Sequence, residues 1–202
     1  MKYKVISSGS KGNCVVVNDV MIDCGLPFNK IKEDLYNVRY LLLTHIHGDH
    51  IKGSTLTNIK KLFPKITIIG NYEVHQQYGV DKLVNAGFEI VTDHYTFYPF
   101  ECVHDVLTYG FTWEVQGKTI IYATDTSNMS NAPNGEYDYL FLESNHDDKK
   151  LAAIANQHKG GYSPYLNGKR HLSTQLAKTF YYLNRRNKES EFIELHKSER
   201  FY

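Results

Sequence analysis

Residues 41–53 read "LLLTHIHGDHIKG", an apolar run followed by three histidines and an aspartate within six positions. A core would reject so many titratable groups, and a solvated loop has no need of them. In extended chain, alternate residues point the same way, so His45 and His47 can reach one metal ion together. Gly48 reads as the turn that lets Asp49 and His50 reach toward a second. Imidazole nitrogens and carboxylate oxygens suit Zn²⁺, with Mn²⁺ or Fe²⁺ as alternatives. A redox-silent donor set of this kind favours hydrolysis.

Working outward, "YKVIS" and "CVVVN" read as strands flanking the polar, Gly-containing turn "SGSKGN", and "VMIDCG" as a third short strand. "PFNKIKEDL" has helical spacing, with Phe28, Ile31 and Leu35 on one face. "RYLLLT" suits a buried strand. "STLTNIKKLF" reads as a helix stopped by Pro64. "ITIIG" reads as a strand, and "NYEVHQQY" and "DKLVNAG" as helical. The middle of the chain is strand-rich: "EIVT", "YTFYPF", "ECV", "GFTWEV" and "TIIYAT", with "VQGKT" as a hairpin turn. "YDYLFLES" and "EFIEL" read as strands, "DKKLAAIANQ" and "STQLAKTFYYLNRR" as helices, and "GGYSPYLNGKR" as a loop. Strand meanders followed by helices in each half predict an α/β (α+β) sandwich, two sheets packed face to face with helices outside.

The chain has 202 residues, enough for one sizeable core. Its net charge of +1 gives little long-range attraction to nucleic acid, although a local basic patch remains compatible with it. Cys14, Cys24 and Cys102 form no CxxC pair, and an odd, sparse set fits reduced thiols and a cytoplasmic location. No apolar run approaches the ~18 residues of a membrane helix, and "MKYKVISSGSKG" has no apolar signal-peptide segment.

"THIHGDH" resembles the signature of the metallo-β-lactamase superfamily. The resemblance implies a four-layer αββα sandwich with a two-metal site at one edge, spanning residues 1–202 as a single domain. "SSGSKGNC" and "MIDCG" resemble the opening strands of nuclease-like branches. "CVHDVLTYGF" resembles the segment that carries a third-motif histidine, here His104. "IIYATDTS" resembles the strand end whose aspartate bridges the metals, here Asp125. "LFLESNHD" and "KRHLS" are most similar to the YycJ/WalJ-type exonucleases. "FIELHKSERFY" resembles the last ligand motif of nucleic-acid-processing branches that include tRNase Z, which maps to His196.

The implied site holds two divalent cations, Zn²⁺ in first place and Mn²⁺ as the alternative. His45, His47 and His104 take one, Asp49, His50 and His196 take the other, and Asp125 lies between them. Two such ions would activate one water for attack on phosphorus and neutralise growing charge. His171 is the candidate proton donor to the leaving oxygen, with Glu143 orienting it. His171 is also the alternative to His196 as last ligand; His196 is preferred because it ends an apolar strand, as the other ligands do. His146, in "ESNHD", is a candidate substrate contact, with a capping loop for the next helix as the other reading. Asp23 is read as a hydrogen-bond acceptor behind the metal loop, and His75, His94 and His158 as surface or packing residues.

The carboxylate Asp49 points to phosphodiester chemistry, whereas glyoxalase-type thioesterases share HxHxDH, so that motif alone does not decide. The late "HLS" and "HKSERF" segments favour a nuclease acting on DNA or RNA. From Asp125 to His171 is an interval of 46 positions (171 − 125), too short for a β-CASP lid. Lys149, Lys150, Lys169, Arg170, Arg185 and Arg186 are candidate backbone contacts. The alternatives are a phosphodiesterase of small cyclic nucleotides, or a metal-bound nucleic-acid-binding module with weak catalysis. Oligomeric state is left open.

Overall fold

In the computed structural model, which describes residues 1–155 and 163–202, the strands form two six-stranded mixed sheets with helices. Met1–Ile90 and Val91–Tyr202 are two compact units. His158, residues 156–157 of the expected helix "DKKLAAIANQ" and residues 160–162 of the expected loop lie outside the described residues.

In the first unit, β1 (Tyr3–Ser7), β2 (Cys14–Val17) and β3 (Val20–Ile22) run antiparallel, while β4 (Tyr40–Leu43), β5 (Thr67–Gly70) and β6 (Lys82–Leu83) continue parallel to β3. β4 is buried at every position, as a strand inside a parallel sheet must be. Helices α1 (Phe28–Leu35), α2 (Gly53–Leu62) and α3 (Tyr72–Tyr78) follow the expected segments. Ile31 and Leu35 of α1 and Leu56 and Ile59 of α2 close one core with Met21, Leu41 and Leu43. "DKLVNAG" is not a helix. Asp81 accepts the Ile68 N–H through Oδ2 (2.7 Å), and Lys82–Leu83 then pairs with β5. A short segment gains more from an open sheet edge than from an unfavourable helix nucleus.

The second sheet runs β12-β11-β10-β9-β8-β7. It opens with β7 (Ile90–Val91) and β8 (Thr96–Cys102), which joins "TFYPF" and "EC" in one strand. β9 (Thr108–Val115) and β10 (Lys118–Ala123) form the expected hairpin. Gln116 (φ 52°) and Gly117 (φ 71°) both sit in the left-handed region, as a two-residue turn matched to strand twist requires. β11 (Tyr139–Glu143) and β12 (Glu191–Leu195) add in parallel. α4 (Asp148–Ala152), α5 (Pro164–Gly168) and α6 (Thr174–Asn184) lie between these two strands in sequence. The expected loop "GGYSPYLNGKR" thus holds a short helix. Ser163 Oγ accepts the Leu166 N–H, and Pro164 takes the first turn, where no N–H is needed. Ala177 and Phe180 are the buried face of α6. No helix among the described residues is long and apolar enough to cross a membrane.

Candidate metal centre

In each unit the chemistry-bearing residues follow the carboxyl ends of strands that point the same way, where loops leave a sheet and side chains can converge. In the first unit these are the turn after β1, Asp23 after β3, and Thr44 to His50 after β4. Asp23 is fully buried. Burial pushes its pKa up, against the opposing pull of His50 and the hydrogen bonds from Thr44. Its Oδ1 accepts the Thr44 N–H (2.9 Å), and Thr44 Oγ1 donates to Oδ2 (2.9 Å).

These contacts assign the histidine tautomers. Thr44 Oγ1, its hydrogen spent on Asp23, accepts from His45 Nδ1 (3.0 Å). His45 Nε2 is left as a lone pair, and it faces His47 Nδ1 at 3.1 Å. Two nitrogens on one tetrahedral zinc ion at ~2.0–2.1 Å lie roughly 3.3 Å apart, so the pair fits a shared ion. For His50 the assignment begins at Gly9, whose backbone N–H donates to Asn13 Oδ1 (2.7 Å). That turns the Asn13 NH₂ toward His50 Nε2 (2.8 Å), which must therefore be the acceptor. Nδ1 carries the hydrogen and donates to Asp23 Oδ2 (2.7 Å). Asp49 Oδ2 lies 3.7 Å from the same Nε2.

In the second unit Asp125, Glu143, His171 and His196 bring ligand atoms within 4.8 Å of one another. Glu143 Oε1 accepts from His171 Nδ1 (2.7 Å) and His196 Nδ1 (3.0 Å). Oε2 accepts the backbone N–H groups of Thr126 (3.0 Å) and Leu172 (3.2 Å). Burial works to raise the Glu143 pKa, but the bonds from His171 and His196 outweigh it and hold the carboxyl below its ordinary value. Burial works to lower the His171 pKa, and the bond to Glu143 reverses this to a net rise. Asp125 Oδ1 stands 3.7 Å from His196 Nε2 and 3.9 Å from His104 Nε2. His104 Nε2 is also 3.2 Å from Asp105 Oδ1, and Asp105 Oδ2 meets Arg170 (3.3 Å).

The donor set fits divalent cations: imidazole nitrogens with assigned lone pairs and carboxylates beside them, most held by a partner on the far side. Asp23, Asp125 and His196 have φ of 60°, 53° and 51°, a conformation costing ~1–3 kcal/mol each that collects at functional sites.

The described fold is similar to that of human tRNase Z, short form, with a TM-score of 0.72 over 99% of this chain and 94% of that one, at 19% identity. The chain has the metallo-β-lactamase fold. Residues 8–79 match the family model described as Metallo-beta-lactamase superfamily. A diphosphatase of the PhnP family superposes with a TM-score of 0.64 over 98% of this chain and 87% of that one, at 17% identity. In sequence, 101 residues are 34% identical to hydroxyacylglutathione hydrolase of Buchnera aphidicola subsp. Acyrthosiphon pisum (strain APS), covering 48% of this chain. The chain spans 37% of the length of that relative.

Within this metallo-β-lactamase fold, several residues depart from the sequence reading. Gly48 has no left-handed backbone and open space beside it, so it is not the residue that makes the ligand loop possible. That residue is Gly25, where an added Cβ would stand 1.7 Å from the Asp49 carbonyl oxygen. Asn13 and Thr44 were not singled out as functional, although Asn13 ends the polar turn and Thr44 directly precedes His45. Among the candidate backbone contacts, Arg186 pairs with Asp138 (3.1 Å) and Glu136 (3.4 Å). Arg185 lies over the rings of Tyr181 and Tyr182. His146 is buried outside the Glu143 group, with Nε2 3.7 Å from Asp148 and no hydrogen-bond partner for Nδ1 among the described residues. The three cysteines are buried free thiols, and burial pushes the Cys102 thiol up to about 12.

Proposed function

We propose that the protein is a dinuclear metal-dependent phosphodiesterase acting on DNA or RNA, of the YycJ/WalJ exonuclease type, with residues 1–202 as one catalytic domain lacking a β-CASP lid. The observation that carries this reading is the 2.7 Å contact of His171 with Glu143 beside Asp125. Phosphodiester cleavage expels a sugar alkoxide, which needs a proton. A thioesterase expels a thiolate, which does not. A histidine whose proton affinity is raised by a buried carboxylate suits the first reaction.

In this reading His45, His47 and His104 hold one ion, Asp49, His50 and His196 the other, and Asp125 is shared. Zn²⁺ is the first choice and Mn²⁺ the second. The bound ions would supply an activated water and offset charge on the phosphoryl oxygens. Asp23 and Glu143 keep Nδ1–H on His50 and His196, so that Nε2 is the ligand atom. His171 presents its Nε2 to the leaving oxygen. The exposed Arg170, with Lys169 beside it in sequence, supports contact with a phosphate backbone. His146 is kept as a substrate-contact candidate. The three free thiols support a reducing, cytoplasmic setting.

The test is incubation of Zn²⁺- or Mn²⁺-loaded protein with end-labelled single- and double-stranded DNA and RNA, cyclic mononucleotides and a thioester. Shortening of a polymer that stops in His171→Ala is the expected result. Turnover of the thioester or the cyclic nucleotides alone would overturn the nuclease reading.

A further inference from the structure

The Asn13 side chain has no place in the ligand set, yet it lies against it. It is 1% exposed, and its amide is locked from one side: Oδ1 accepts from Gly9 N (2.7 Å), and the Asn13 backbone N–H donates to the Asp49 carbonyl (2.7 Å). The chain turns here because β1 is parallel to β3 and β4, which brings the polar turn to the same edge as the HxHxDH loop. The NH₂ nitrogen then sits 2.8 Å from His50 Nε2 and 3.3 Å from Asp49 Oδ2, with the Gly9 and Asp49 carbonyl oxygens at 3.2 and 3.4 Å. Those are the two atoms of this unit proposed above to bind one ion. An amide NH₂ carries partial positive charge and two hydrogens, so it can serve His50 Nε2 with one and the neighbouring oxygens with the other.

We propose that Asn13 is a built-in competitor for the ion held by Asp49 and His50, a neutral stand-in whose NH₂ satisfies His50 Nε2 and lies beside Asp49 Oδ2 when that ion is absent. The inference rests on the ligand assignment of the proposed function. The imidazole Nε2 has one in-plane lone pair, which is given either to the amide or to the metal. Ion binding therefore breaks the Asn13–His50 hydrogen bond, and its net worth is subtracted from the affinity at this position. The acceptors stay ordered in the meantime, since a buried acceptor left unpaired is costly. The expected consequence is sequential loading, the Asp49/His50 ion last and most readily lost.

Titration of the metal-free protein with Co²⁺, read by visible absorption and calorimetry, tests this. Wild type is expected to bind two ions in two steps. Asn13→Ala should tighten the weaker step by roughly three- to tenfold and leave the tighter step unchanged. Asn13→Asp keeps an acceptor for Gly9 N and places a carboxylate oxygen where the NH₂ stood, so it should tighten the weaker step further. A merely structural Asn13 gives the opposite sign: the weaker step weakens in Asn13→Ala and is not improved by Asn13→Asp. That result, or an unchanged weaker step in both variants, overturns the proposal. Wild type binding no ion at all would instead overturn the ligand assignment itself.

Discussion

The rings of His171 and His196 are stacked, with centroids 5.1 Å apart and planes 25° from parallel, and both turn Nδ1 to the same oxygen of Glu143. One carboxylate therefore orients two histidines, to which the proposed function gives different duties. Their relation to Asp125 differs. His196 approaches Asp125 through Nε2, the nitrogen that Glu143 leaves open, whereas His171 approaches it through the Nδ1 that Glu143 already occupies. This supports His196 as the ligand and His171 as the proton donor.

Replacing each histidine by alanine should separate them. His171→Ala should keep both ions while kcat falls by roughly 10²–10⁴. His196→Ala should lose one ion. Metal content by elemental analysis and single-turnover cleavage check both, and loss of an ion from His171→Ala would reverse the assignment.

Glu143→Gln is expected to be more harmful than an isosteric change suggests. The backbone N–H groups of Thr126 and Leu172 hold the carbonyl oxygen of the new amide where Oε2 was, so its NH₂ must face both Nδ1 atoms. Donor meets donor unless both imidazoles change tautomer, which protonates Nε2 of His196. Metal affinity should fall about 10–100-fold, as found when the partner of a metal-ligating histidine is removed. Isothermal titration with Zn²⁺ measures it.

Gly25→Ala should disrupt the ligand loop, because the new Cβ meets the backbone oxygen of Asp49 at 1.7 Å rather than a side chain that can swing away. A cost of about 3 kcal/mol or more in unfolding free energy follows from forced overpacking. Gly48→Ala, with nothing within 4 Å, should stay within about 0.5 kcal/mol of wild type. Urea unfolding of the two variants side by side gives the comparison.

Asp138 predicts a pH dependence remote from the metal ligands. Burial works to raise its pKa, but the Thr119 N–H, Lys118 and Arg186 outweigh it and hold the carboxyl below the ordinary value. A depressed folded-state pKa stabilises above the unfolded value of ~3.9, and the gain is lost as pH falls through the folded value. Asp138→Asn should thus lower stability at pH ~7 by about 1–3 kcal/mol, with the gap to wild type closing below pH ~4. Chemical denaturation across that pH range checks the sign.

Donors within one short segment were legible in the chain, because strand alternation and a buried strand end are local properties. His45, His47, Asp49 and His50 lie in six consecutive positions, and β4 carries them to a sheet edge. Glu143 was legible as a carboxylate at the end of an apolar strand, but its second partner was not. His196 is 53 positions away and reaches it only because β12 pairs with β11. The short segment 81–87 misled for the same reason: its partner, β5, is not adjacent in sequence.

The order of residues by itself picked out the candidate side chains for chemistry and predicted them at strand ends. The tertiary structure decided that His171 and His196 both turn Nδ1 to Glu143, and that Asn13 and Gly25 bear on the Asp49 loop. Those outcomes depend on which strand ends lie side by side, and a hydrogen bond of about 3 Å cannot be inferred from residues 36 or 37 positions apart until strand order brings them together.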